Sequence, residues 1–103
     1  MFSIQTDMSS IMNATQMSSI LFRGKTLHKG QELKSGDGKY RAVMQPDGNF
    51  VLYGGRATWA SNTMGRGDRV VMQDDGNLVI YDGNHATWAS NTMMPGNHNI
   101  LIM

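Results

Sequence analysis

The chain is predicted to be all-β, and three features of its sequence carry that expectation. Its 103 residues include twelve glycines and two prolines, with only 17% charged residues, a turn-rich composition that favours many short strands over helices. One block occurs twice, as Val43-Met44-Gln45-Pro46-Asp47-Gly48-Asn49-Phe50-Val51-Leu52-Tyr53 and as Val71-Met72-Gln73-Asp74-Asp75-Gly76-Asn77-Leu78-Val79-Ile80-Tyr81. Each copy is followed by Ala-Thr-Trp-Ala-Ser-Asn-Thr-Met, at 57–64 and again at 86–93. A supersecondary unit is therefore used at least twice. The length suits one domain with one modest core.

The first segment, Met1 to Ile20, holds Asp7 and many Ser, Asn and Gln residues. It has no apolar run long enough for a secretory leader or a membrane span. Neither a signal peptide nor membrane insertion is expected, which leaves the cytoplasm or release by a non-classical route. Asn13-Ala14-Thr15 is a formal glycosylation triplet that matters only in an exported chain. Cysteine is absent, so a disulfide scaffold, a redox motif and a thiolate metal site are excluded together. Lys and Arg number 9 against 8 for Asp and Glu, a net charge of +1 with no block of one sign. Nucleic acid and anionic membranes are not expected partners.

Each repeat reads as a hairpin plus one further strand. In Pro46-Asp47-Gly48 the proline fixes φ for a type I turn, aspartate tolerates the next position, and glycine supplies the left-handed residue of a bulge. Asp74-Asp75-Gly76 fits the same template. Gln45 then lies opposite Asn49, Met44 opposite Phe50 and Val43 opposite Val51. Alternation places Gln45, Asn49, Val51 and Tyr53 on one face and Met44, Phe50 and Leu52 on the other. The second unit divides in the same way, with Gln73, Asn77, Val79 and Tyr81 opposed to Met72, Leu78 and Ile80. The step is 28 from Gln45 to Gln73 and 29 from Trp59 to Trp88, so the extra residue falls in the loop Asp82-Gly83-Asn84-His85. Trp59 and Trp88, flanked by small residues at matching places, are expected in the core rather than as exposed stacking platforms. Met44, Met72 and one of Met64 or Met93 fall where a core needs adaptable filler.

The polar face has the composition of a sugar site. An amide and a carboxylate bridge neighbouring hydroxyls, a phenol serves a third, and a small apolar patch meets the C–H surface of a pyranose. Asn49 to Tyr53 spans roughly 13 Å at about 3.3 Å per residue, within reach of one ring. Catalysis lacks its parts, because Asp74 and Asp75 are adjacent in a turn, Asp47 belongs to the other repeat, and no Ser has a His at a suggestive spacing. His28, His85 and His98 are scattered, and no loop has the run of oxygen ligands that calcium requires. No metal or cofactor is expected.

The pattern Gln-x-Asp-x-Asn-x-Val-x-Tyr stands complete at Gln45, Asp47, Asn49, Val51, Tyr53 and at Gln73, Asp75, Asn77, Val79, Tyr81. With the Trp-Ala-Ser-Asn-Thr segments and the lead-in Leu21-Phe22-Arg23-Gly24-Lys25-Thr26-Leu27, it resembles the bulb-type, or monocot, mannose-binding lectins over residues 20–103. That resemblance implies a β-prism II of three antiparallel sheets about a pseudo-threefold axis, with tryptophans near the axis. It also implies that Asp47 and Asn49 read the axial O2 of mannose, Gln45 reads O3, Tyr53 reads O4 and Val51 touches ring carbons. Asp75, Asn77, Gln73, Tyr81 and Val79 take the same roles in a second site. The implied partner is a mannose-containing glycan. The other reading of the motifs is a protein-interaction module or antibacterial toxin with incidental sugar binding.

The family usually carries three motifs, and here the third is incomplete: the chain stops at Asn99-Ile100-Leu101-Ile102-Met103, where a third Gln would follow. Gln5 and Asp7 keep the motif spacing, but Ser9, Ile11 and Asn13 stand where Asn, Val and Tyr belong. Residues 1–19 are thus a decayed repeat or an unrelated extension. A prism short of strands would expose sheet edges. The expected remedies are the N-terminal segment folding back or a homodimer pairing along Ile100-Leu101-Ile102.

Overall fold

The computed structural model describes residues 3–6, 19–92 and 99–102, and among them there are eleven strands and no helix. In chain order these are β1 (Ser3–Thr6), β2 (Ile20–Leu21), β3 (Thr26–His28), β4 (Glu32–Lys34), β5 (Arg41–Met44), β6 (Phe50–Gly54), β7 (Arg56–Ala60), β8 (Arg69–Met72), β9 (Leu78–Asp82), β10 (His85–Ala89) and β11 (Asn99–Ile102). They form three antiparallel sheets, ordered β4-β5-β6-β7, β3-β8-β9-β10 and β2-β11-β1. The pairings expected from the hairpin loops are present, with Val43 opposite Val51 and Met44 opposite Phe50 in one sheet, and Val71 opposite Val79 in the other.

The glycine of each loop does what the turn demands. Gly48 and Gly76 have φ of 93° and 88°, a region open to glycine at little cost. The amides of Gly48 and Gly76 donate to the carbonyls of Gln45 and Gln73, and the Gln45 and Gln73 amides donate to the carbonyls of Asn49 and Asn77. A second irregularity follows in each unit. The register shifts between Leu52 and Tyr53 against β7 and between Ala86 and Trp88 against β9, so Thr58 and Thr87 sit in bulges and donate to the carbonyls of Leu52 and Ile80 at 3.3 Å.

The inward faces meet in one core of Leu21, Leu27, Leu33, Ala42, Met44, Phe50, Leu52, Val70, Met72, Leu78 and Ile80. Leu21, Leu27 and Leu33 come one from each of β2, β3 and β4, so each sheet supplies a leucine from its flanking strand. Burial of each such side chain contributes about 1.5–3 kcal/mol. Trp59 and Trp88 pack against this cluster and against each other edge to face, with ring centroids 5.3 Å apart, and Phe50 meets Trp59 at 6.4 Å. Met44 and Met72 are fully buried, but Met64 is 63% exposed. The Gly65 amide donates to the Asp47 carbonyl at 2.7 Å, which draws the loop back over the first hairpin and leaves Met64 on its outer side. Met93 lies outside the described residues.

In the third sheet β11 lies between β1 and β2 as β5 lies between β6 and β4. Ser3 pairs with Ile102 and Thr6 with Asn99, while Leu21 pairs with Leu101. Leu101 and Ile102 are thus paired on both edges within the same chain, and Ser3–Thr6 holds the place of β6 and β9. No counterpart of β7 or β10 lies beyond it among the described residues. Asp7, Ser9, Ile11 and Asn13 fall outside them.

Candidate functional site

The outer faces of the two four-stranded sheets carry the two motifs. On the first, Gln45 follows β5, Asn49 precedes β6, and Val51 and Tyr53 lie on β6, while Asp47 tips the loop between. The Asp47 carboxylate accepts the Asn49 amide at 2.9 Å, and Asp75 accepts that of Asn77 at 2.9 Å. Each aspartate is fixed by the turn it belongs to. The Gln45 amide bonds the Tyr53 hydroxyl, as Gln73 bonds that of Tyr81. With its oxygen accepting from Tyr53, the Gln45 amide also donates to both Asp47 oxygens at 3.2 Å. Gln45 and Tyr53 lie on either side of the Val43–Val51 pair, so their bond passes diagonally over it. Val51 and Val79 are accordingly only 3% exposed, the floor of a recess.

The Ser-Asn-Thr segments, which sequence reasoning took only as a mark of resemblance, hold the motif asparagines. The Asn49 side-chain oxygen accepts from the Ser61 hydroxyl and the Thr63 amide, both at 3.2 Å, and the Thr63 hydroxyl donates to the Gly48 carbonyl at 2.6 Å. In the second unit the Asn77 oxygen accepts from Ser90 at 3.2 Å and from the Asn91 amide at 2.8 Å, while Thr92 donates to Gly76 at 2.7 Å. Asn62 and Asn91 take φ of 60° and 59° to make these turns, which asparagine tolerates better than most residues. The oxygens of Asn49 and Asn77 are therefore committed to the protein. Their side-chain nitrogens are not, and no buried side-chain nitrogen or oxygen among the described residues lacks a partner, so both nitrogens face solvent as fixed donors.

Two further residues join the clusters. The Arg41 guanidinium lies over the Tyr53 ring at 4.5 Å, and that of Arg69 over Tyr81 at 4.9 Å, a stacking that fixes the phenols. Glu32 holds Arg41 at 3.3 Å, whereas Asp68 holds Arg69 at 2.7 Å and also accepts the Gly83 amide at 2.8 Å. The Gly83 amide, and then Arg69, keep the Asp68 carboxyl below its ordinary value. The signal was present in sequence as an arginine four residues before each motif glutamine. Asp74, by contrast, points away from the motif contacts toward Arg23, at 3.9 Å. Among the described residues no three His, Asp or Glu side chains converge as a metal site. The groups assembled on each face are donors and acceptors held in place, suited to recognising hydroxyls rather than to transferring protons.

No protein-family model matches the sequence. Among solved structures, a monomeric monocot mannose-binding lectin from Gastrodia elata is 47% identical, with a TM-score of 0.72 over 82% of this chain and 78% of that one. The snowdrop (Galanthus nivalis) mannose-specific agglutinin, solved with methyl-α-D-mannoside, is 40% identical with a TM-score of 0.73, covering 82% and 79%. The B-type lectin plumieribetin of Scorpaena plumieri is 47% identical over 45 residues, 44% of this chain and 40% of that protein. The chain spans less than half the length of the curated relatives it matches. A prism with both motifs intact, aligned with more than three quarters of the Gastrodia lectin at 47% identity, places this chain in the bulb-type (monocot) mannose-binding lectin family.

Proposed function

We propose that the chain is a lectin that binds terminal mannose on glycans, reversibly and without metal, through the Gln45–Tyr53 and Gln73–Tyr81 clusters. The observation that carries this reading is the fixed asparagine. With its oxygen clamped by Ser61 and Thr63, Asn49 presents a donor beside the acceptor oxygens of Asp47, a pair matched to one axial hydroxyl that both gives and takes a hydrogen bond. Asp47 and Asn49 read O2, Gln45 reads O3 and Tyr53 reads O4, and Asp75, Asn77, Gln73 and Tyr81 repeat the set. The snowdrop agglutinin was solved with a mannoside bound, which supports the sugar class.

Single sites of this kind bind at roughly millimolar strength, about −4 kcal/mol, and gain from acting together. Calorimetric titration with methyl α-mannoside tests the reading. Two equivalents per chain, unaffected by a chelator, are expected, and absence of any heat or competition would reject it. Assembly as a homodimer belongs to the same proposal, with the outer edge of Ser3–Thr6, which no strand covers among the described residues, as the edge that a second copy would pair with. Sedimentation of the intact chain beside one lacking residues 1–6 tests it, and a monomer in both cases rejects the dimer.

A further inference from the structure

The two motif faces end differently on the side away from their hairpin loops. On the first, Lys34, Arg41 and Tyr53 are cross-strand partners in one row over β4, β5 and β6, so their side chains share the outward face. Glu32, two residues before Lys34 on β4, shares it too. Its carboxylate stands between the two cations, at 3.3 Å from Arg41 and 4.0 Å from Lys34. The side chains of Lys34 and Arg41 are 58% and 46% exposed, so two cations that share one carboxylate remain open to solvent. Arg41 holds Glu32 through one nitrogen, Nη1, while its guanidinium lies over the Tyr53 ring.

The second face is arranged otherwise. In the matching row His28 pairs with Arg69 and Arg69 with Tyr81, so an imidazole takes the place of the lysine, and Thr26 takes that of Glu32. Arg69 is engaged through both terminal nitrogens: Nη1 meets Asp68 at 2.7 Å, and Nη2 donates to the Gly83 carbonyl at 3.2 Å. In the first unit the residue before the arginine is Tyr40, which lies against Gly54 and brings no carboxylate. Arg41 thus keeps donors to spare where Arg69 has spent them.

We infer that the first site takes mannose bearing a phosphate monoester on O6, with the Gln45–Tyr53 cluster holding the ring and Arg41 and Lys34 holding the phosphate. The inference rests on the mannose reading, which sets the order of contacts. With O2 at Asp47 and Asn49, O3 at Gln45 and O4 at Tyr53, the hydroxyls run from the hairpin loop toward the row of Tyr53, Arg41 and Lys34. The next exocyclic group of the ring after O4 is the C6 arm, so a substituent on O6 extends past Tyr53 onto the two cations. A phosphate monoester matches them, with about two negative charges and three acceptor oxygens, which a guanidinium meets as a fork and an ammonium as a point charge.

Nuclear magnetic resonance separates the sites in the intact chain, because the side-chain amides of Gln45 and Gln73 report one each. Mannose, mannose 6-phosphate and inorganic phosphate are titrated in turn at about pH 8, where the phosphate is a dianion. Expected are similar affinities of both amides for mannose, and a gain of roughly tenfold for mannose 6-phosphate at Gln45 alone, the strength of a charge-assisted contact. Because the cations are exposed, the gain should shrink severalfold between about 20 mM and about 500 mM salt. Lys34→Gln should remove most of the gain and leave the affinity for mannose unchanged. Glu32→Gln, which releases both cations, should enlarge the ratio of the two affinities. An equal gain at Gln73, no gain at Gln45, a gain that survives Lys34→Gln in full, or inorganic phosphate bound beside Gln45 as tightly as mannose 6-phosphate would overturn the inference while leaving the mannose reading standing. No response of either amide to mannose would overturn both.

Discussion

The Ser61 hydroxyl donates to the side-chain oxygen of Asn49 at 3.2 Å and accepts the Phe50 amide at 3.0 Å, so one buried hydroxyl both orients the outward side-chain nitrogen of Asn49 and satisfies the first strand residue beneath it. Ser90 does the same for Asn77 and Leu78. Ser61→Ala should leave the Phe50 amide unpaired and Asn49 free to turn. Expected are a loss of about 1–3 kcal/mol in stability, read by thermal melting, and weakened mannoside binding at the first site with the second intact. Unchanged binding would remove the clamp from the mechanism.

Sugar choice follows from the Asp–Asn pairs. With the Asp–Asn pairs reading O2 as proposed, an equatorial hydroxyl at C2 would miss both members, and each polar group left unpaired costs roughly 1–3 kcal/mol. Mannose should therefore compete for both sites and glucose should not, in a competition assay on immobilised oligomannose. Equal inhibition by the two sugars would exclude the O2 assignment.

Independence of the sites is best probed at the phenols. Asn49 and Asn77 are only 7% exposed and bind the neighbouring loops, so their removal disturbs folding as well as binding. Tyr53 and Tyr81 are half-buried, and among the described residues their side chains hold the motif glutamines and stacked arginines. Tyr53→Phe or Tyr81→Phe alone should weaken one of two equivalents, and the double change should weaken both, each by roughly tenfold for one hydrogen bond. If one single change weakened both equivalents, the sites could not be independent.

Acid should unpin Arg69. The Asp68 carboxyl is held below its ordinary value by the Gly83 amide and Arg69, so its contribution to the folded state is complete above about pH 4 and is lost as the pH falls through the lowered value. Asp37 behaves alike through the Lys39 amide and Ser35. Asp68→Asn should flatten the acid limb of a stability-against-pH curve and weaken the second site more than the first, where Glu32 holds Arg41 instead. An unaltered acid limb would show that these bonds do not matter for stability.

The strand pairings, the two faces and the packing of the tryptophans against the core were legible because hairpin register and alternation are local properties, set by Pro46-Asp47-Gly48 and its copy. The clamp was not. Ser61 reaches Asn49 across twelve residues, after a bulge at Thr58 that strand periodicity does not reveal. The stacking of Arg41 on Tyr53 was hidden differently: both residues look like ordinary outward strand positions, and only the Arg41–Tyr53 pairing sets them opposite. That Val51 forms the floor of a recess was not legible either, because a Gln–Tyr bond passing over a valine pair depends on side-chain length, not on alternation. Ser3–Thr6 pairs with Asn99–Ile102, where the sequence left a fold-back of the N-terminal segment and a second copy of the chain as alternatives.

The clamp also bears on how such a protein can change over generations. Each asparagine is steadied by a serine and threonine of its own unit, Asn49 by Ser61 and Thr63, Asn77 by Ser90 and Thr92. A motif therefore travels with its support whenever the stretch encoding it is copied or deleted, and the number of such clusters per chain can be rewritten by duplication alone, while point changes at loop positions such as Pro46 or Asp74 diversify the copies afterwards.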